Sequence, residues 1–275
     1  MTPEKIVSLK STATKVRKLA LEGIFNAQSG HPGGSLSVAD IVTYLYFEKM
    51  NVDSQKPDDP NRDRFVLSKG HACPALYAAL ALKGFFDVEE LKSLRKIDSM
   101  LQGHPNMELI PGIDMSTGSL GQGFSNACGI AIAGKRTNKD YTVYTVLGDG
   151  EIQEGQIWEA AMFAAHYKLN NLIAFVDSNG LQIDGKVDDV MSPAPIDEKF
   201  KAFGWYTQLI DGHDFEALDE AVKNAEKSDK PSVIVCKTVK GKGVSYMENN
   251  ASWHGKAPNK ELYDVAVKDL DALLN

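Results

Sequence analysis

Asp149 stands between two glycines where one apolar run ends, in VLGDGEIQEG. Asn179 stands where the next one ends, in NLIAFVDSNG. A carboxylate and a side-chain amide are both hard oxygen donors. A Mg2+-type ion takes few protein oxygens and completes its octahedron with phosphate oxygens and water. One charged and one neutral oxygen therefore suit a cation that must also hold an anionic diphosphate. The glycines beside Asp149 permit close backbone approach, and the helix that follows can point N–H groups at the anion. GDG alone marks a strand-end turn, as does Asn179-Gly180. Together, with a full strand–helix–strand unit between them, they mark a site.

Of the 6 histidines, four lie in glycine-flanked loops: SGHPGG (His31), SKGHACP (His71), LQGHPN (His104) and SWHGKAP (His254). Imidazole donates to hydroxyls and phosphates and shuttles a proton near neutral pH, and the glycines give access. His166 falls on a helix face, and His213, in DGHD, reads as the start of a helix.

These residues converge only if the strands that carry them are parallel neighbours. The chain predicts such an arrangement. Strands are expected at RFVLS from Arg64 and near 141–147, 171–177, 205–210 and 232–238, with helices near 153–168, 195–203 and 214–227 between the later ones. That alternation implies a mainly parallel sheet flanked by helices, an α/β fold, whose carboxyl edge is where ligands bind. Ahead of it, Thr2, Pro3 and Glu4 open a first helix that runs with helical spacing through Ile24 and stops at Ser29. Further helices are expected from about Ser37 to Met50, near 74–83, near 87–96, from Leu120 through Arg136 and near 259–273, with an irregular stretch from Gln102 to Ser119. With neither repeat nor linker, residues 1–275 read as one domain.

Composition narrows the class. The formal charge is -7 with both signs interspersed, which argues against a nucleic-acid partner. Cys73, Cys128 and Cys236 are few and widely spaced, so they fit a reducing compartment better than a disulfide framework or a zinc site. No apolar run reaches membrane-spanning length, and charges occupy the N-terminus where a signal peptide would be apolar. The expectation is a soluble cytoplasmic protein with no membrane partner.

The stretch GDGEIQEGQIWEAAMFAAHYKLNNLIAFVDSNGLQIDG resembles the thiamine diphosphate signature, and its flanks, with SGHPGG, STGSLGQG and QEGQIWEA, resemble transketolase in particular. The resemblance implies that Asp149, Asn179 and the Leu181 carbonyl bind the metal, Mg2+ by default with Ca2+ or Mn2+ as alternatives. Gly150 would touch the diphosphate, and Ile183 would lie near the thiazolium. Gly118, Ser119 and Leu120 would contact the aminopyrimidine side, and His71 and His254 would approach the diphosphate. His31, His104 and His254 would surround the sugar hydroxyls as catalytic residues. Glu154 matches a family glutamate that connects paired active sites.

Transketolases continue well beyond this length, into a pyrimidine-binding domain. The resemblance therefore covers an amino-terminal half, and a separate carboxy-terminal subunit is expected to supply the rest in an α2β2 assembly. The small side chains of LGQGFSNACGIAIAG suit either such a contact or close packing on the chain's own sheet. The implied activity moves a two-carbon ketol unit from a ketose phosphate to an aldose phosphate, by default xylulose 5-phosphate and ribose 5-phosphate. His31 and His254 would help remove the hydroxyl proton during C–C cleavage. Alternatives on the same cofactor are deoxyxylulose phosphate synthesis, apulose-phosphate-type ketol transfer, and a cofactor-binding subunit without turnover.

Overall fold

Strand β1 (Arg64–Leu67), β2 (Val143–Gly148) and β3 (Leu172–Ser178) are apolar runs whose side chains must be covered on both faces. A computed structural model, which describes residues 1–274, shows how they are. Later in the chain come a two-stranded hairpin, β4 (Leu181–Gln182) with β5 (Gly185–Lys186), and then β6 (Tyr206–Asp211) and β7 (Ser232–Lys237). The main sheet has five strands in the order β1-β2-β3-β7-β6, every pair parallel. The expected strands are all present and all point the same way. The hairpin is an addition to them: its strands are too short to carry a periodic signal.

Alternate residues feed two layers. Phe65, Leu67, Tyr144, Val146, Ile173, Phe175 and Ile234 face a core built with α1 (Pro3–Ala27), α2 (Pro32–Tyr44) and α3 (Cys73–Lys83). Val66, Val143, Leu147, Leu172, Ala174, Val176 and Val233 face a second core with α4 (Gln122–Arg136) and α5 (Gly155–His166). Period-two alternation with both faces apolar is what a doubly covered parallel strand requires. The remaining helices are α6 (Val187–Met191), α7 (Ile196–Ala202), α8 (Phe215–Glu226) and α9 (Lys260–Ala272). A third, smaller cluster of Leu21, Leu36, Val244, Met247, Trp253, Ala266 and Leu270 anchors the segment that carries His254.

Thr2 caps α1 as expected, its side chain accepting from the Lys5 N–H at 3.3 Å. Two helix boundaries differ from expectation. The second helix starts at Pro32, not near Ser37, because Pro32 suits the first helical turn and two glycines can follow it there. The D-x-x-E run at Asp87 opens a 3-10 segment, Val88–Ser93, and not an α-helix over 87–96. Helix α4 packs its small side chains on the chain's own sheet along one side. Phe124, Ala127, Cys128 and Ala131 are buried against the sheet, whereas a Cβ added at Gly129 would meet no atom within 4 Å. Among the described residues no helix is long and apolar enough to cross a membrane.

Candidate active site

The register of β2 on β3 decides the site. Gly148 lies opposite Asp177, so the two strands end side by side and the loops after them meet. The meeting is direct: the Gly180 N–H donates to Asp149 Oδ2 at 2.6 Å. The Gly150 N–H donates to Asp149 Oδ1 at 2.8 Å, and the Leu181 N–H donates to Asn179 Oδ1 at 3.1 Å. Asp149, Asn179 and the Leu181 backbone thus line one cavity of about 320 Å³ at the carboxyl edge of the sheet.

Three expected histidines share that cavity. His31 is at the start of α2, His71 in the turn after β1, and His254 in the segment before α9. Their ring centroids form a triangle with sides of 5.2, 5.3 and 5.2 Å. Burial foremost, then Lys240, His31 and Lys69, lowers His254 to about 3. Burial, then Arg95, lowers His31 to about 4, and burial with Lys69 holds His71 well below the usual range. All three are neutral imidazoles at pH 7.

Gly118, Leu120, Gly150, Glu154 and Ile183 also line the cavity, whereas Ser119 and His104 do not. His104 is exposed and packs behind Gly118, where an added Cβ would lie 3.1 Å from its Cγ. It touches the loop that lines the cavity at Gly118 and is not itself part of the cavity wall. His166 lies exposed at the end of α5, as expected of a helix-face residue. His213 does more than precede α8. Its Nε2 accepts from the Val239 N–H at 2.9 Å, so its Nδ1 carries the proton and donates to Asp40 Oδ2 at 2.6 Å. Asp40 is also paired with Arg17 of α1. The bridge ties α2 to the turn after β7.

Several charged groups of the site carry no motif of their own. Lys240 is buried, and its Nζ donates to the Leu181 carbonyl at 2.9 Å and lies 2.9 Å from His254 Nδ1. Burial and the neighbouring Lys69 lower its ammonium to about 8. Lys69 is buried too and forms an ion pair with Asp177, which also accepts from Ser37 Oγ at 2.5 Å and from Thr238. The burial cost of Asp177 is outweighed by Lys69, which holds its carboxyl below the usual range. Glu151, two residues past Asp149, accepts from Ser68 Oγ at 2.5 Å and from the N–H groups of Gly121 and Gly148 at 2.9 and 3.0 Å. It braces three loops. A usable signal exists for the lysines, since SKGH and TVKGKG put them directly after strands that end on the same edge.

The residues present suit a diphosphate and a hard cation. The oxygen set is one carboxylate, one amide and one carbonyl, and among the described residues no cluster of three His, Cys, Asp or Glu side chains offers a competing metal site. The Leu181 carbonyl keeps a second lone pair beside its bond from Lys240. Lys240, beside the Leu181 carbonyl, puts positive charge on the cavity lining, while that of Lys69 is matched by Asp177.

Residues 8–269 match the family described as transketolase, thiamine diphosphate binding domain. The chain belongs to the transketolase family. It is 47% identical to the 6-deoxy-6-sulfo-D-fructose transketolase subunit SqwG of a Clostridium species, over 98% of each chain. It is 42% identical to one of the apulose-4-phosphate transketolase subunits of Phocaeicola vulgatus, over 97% of this chain and 95% of that one. The transketolase of Campylobacter jejuni superposes with a TM-score of 0.92 at 35% identity, covering 98% of this chain and 43% of that one. This transketolase domain thus matches two subunit relatives along nearly their whole length, but spans less than half of that solved transketolase.

Proposed function

We propose that this transketolase domain is the diphosphate-binding subunit of a split enzyme that transfers a two-carbon ketol unit between sugar phosphates. The observation that carries the reading is the convergence, around one cavity, of the Asp149–Asn179–Leu181 oxygen set with the neutral triangle of His31, His71 and His254. When bound, thiamine diphosphate supplies the electron sink that lets a bond beside a ketose carbonyl break.

The chain's own residues do the rest. Asp149, Asn179 and the Leu181 carbonyl hold the cation, Mg2+ by preference. Gly150, His71 and Lys240 face the diphosphate, while Ile183 and the Gly118–Leu120 loop flank the rings of the cofactor. His31 and His254, neutral at pH 7, contact the donor hydroxyl whose proton leaves on cleavage. His104 contacts the sugar from the edge of the 118–120 loop. A partner chain closes the site with the pyrimidine-binding half in an α2β2 assembly, which Glu154 at the exposed start of α5 would help to couple. The likeness to the sulfofructose and apulose-phosphate subunits makes their donors candidates alongside xylulose 5-phosphate, with ribose 5-phosphate as acceptor.

The site test is Asp149→Ala, read by calorimetric titration of thiamine diphosphate in the presence and absence of Mg2+. Metal-dependent binding should disappear while far-ultraviolet circular dichroism stays unchanged. Unaltered affinity would overturn the assignment.

A further inference from the structure

Arg95 lies between the 3-10 segment Val88–Ser93 and His104, in a turn with unusual backbone geometry. Its φ is +59°, and Asp98 follows at +62°. Residues other than glycine seldom adopt this left-handed region. Such conformations persist where the surroundings over-determine them, and they gather at functional sites. Here the Arg95 N–H donates to the Leu101 carbonyl at 2.8 Å, which fixes the turn.

The turn aims a guanidinium at the wall of the site. Nη1 donates to Ser29 Oγ at 3.3 Å, Nη2 donates to the Gly103 carbonyl at 3.3 Å, and Nη2 lies 3.5 Å from His31 Nδ1. A Cβ added at Gly103 would lie 2.9 Å from Arg95 Cζ, so the fork occupies space that only glycine leaves open. One side chain thus touches His31, a residue just before it, and the residue just before His104.

A guanidinium carries five N–H donors, has no acceptor, and is not deprotonated in proteins. The imidazole nitrogen that faces it must therefore accept, and the proton of a neutral His31 must sit on Nε2. The Nε2 edge points away from Arg95, toward Gly255, where an added Cβ would be 3.6 Å from it. We infer that Arg95 is a positioning residue that holds His31 in the Nε2–H tautomer, so that His31 orients the substrate hydroxyl as a donor and does not itself take the proton, contrary to what the sequence resemblance implies. The hydroxyl rests on the function proposed above; the tautomer belongs to this chain alone. The charged and titratable groups around His31 are Arg95, His104 and Lys240, with the rings of His71 and His254 beside it. Burial and this set of charges keep His31 neutral at pH 7.

The test is a long-range proton–nitrogen correlation spectrum of the full chain, labelled with 15N-histidine, at pH 7. His31→Gln assigns the signals. The expected pattern is a protonated Nε2 and an unprotonated Nδ1 for His31. In Arg95→Met the two nitrogen shifts should move toward each other as the tautomers mix, and the His31 titration midpoint should rise because a facing positive charge is gone. Arg95→Lys, which keeps a cationic donor, should retain more of the original pattern. An Nδ1–H pattern in the unaltered chain would overturn the inference, as would an Arg95→Met spectrum with unchanged shifts and midpoint. Should Arg95→Met not fold, the unaltered chain decides: a protonated Nε2 with an unprotonated Nδ1 on His31 supports the inference, and an Nδ1–H pattern overturns it. These spectra need neither cofactor nor partner, so a failed cofactor-binding test leaves their outcome readable.

Discussion

Asp149 combines two opposed properties. Burial, assisted by Asp177, pushes its carboxyl up to about 6, while N–H donors from Gly180 and Gly150 pull it down. Without a cation, a folded value above the ordinary 3.8 means that the native state holds the proton more tightly than the unfolded chain does. The resulting stability is present in full below pH 3.8 and is lost as pH rises through about 6. Urea unfolding across this range should show that loss, and Asp149→Asn should flatten it. Cation binding runs the other way, since the ligand must be ionised. Mg2+-dependent affinity for thiamine diphosphate should weaken as pH falls through about 6. Affinity that stays constant across that interval would remove Asp149 from the metal set.

The elements matter for how closely they approach one another. The first turn of α2 contains Gly33, where an added Cβ would lie 2.9 Å from the Trp253 carbonyl and 3.0 Å from Lys240 Cε. The glycine lets the helix seat against both segments that deliver Lys240 and His254. Gly33→Ala should therefore lower cofactor affinity by more than it lowers the unfolding midpoint, as compared by calorimetry and thermal melting. Equal losses in the two measurements would show that Gly33 serves only the fold. The Asp40–His213–Val239 bridge ties a later turn of α2 to the segment that carries Lys240. In the sequence each of these residues is an ordinary loop or helix member, because contacts between residues far apart in the chain leave no local pattern. Asp149 and Asn179 are legible because each ends a periodic apolar run on the same edge of a parallel sheet.

At the scale of the whole molecule, several apolar groups lie uncovered, one of them, Ile183, in the cavity lining. Ile183 is 69% and Met191 64% exposed, and the outer face of α4 is open at Gly129. Surfaces of this kind suit contact with another chain, which is where the pyrimidine-binding half is proposed to sit. Mixing supplies the test. This chain with thiamine diphosphate and Mg2+ should give no ketol transfer, and a carboxy-terminal transketolase subunit should restore it, as measured with xylulose 5-phosphate, 6-deoxy-6-sulfofructose and apulose 4-phosphate as donors. Full activity from this chain alone would refute the split assembly.

The sequence by itself determined the α/β class, the positions of the strands, the acid and amide at their ends and, of the four glycine-flanked histidines, the three that share one cavity. Each is written in local periodicity or in short motifs, whose physics acts over a few residues. Tertiary structure alone decided that β2 and β3 are neighbours, that Lys69 and Lys240 are buried in the same wall, that Glu151 braces three loops, and that Arg95 faces His31. Those facts depend on strand order and on which loops meet at one edge, and burial there then shifts the titration of His31, His71, His254, Asp149 and Lys240.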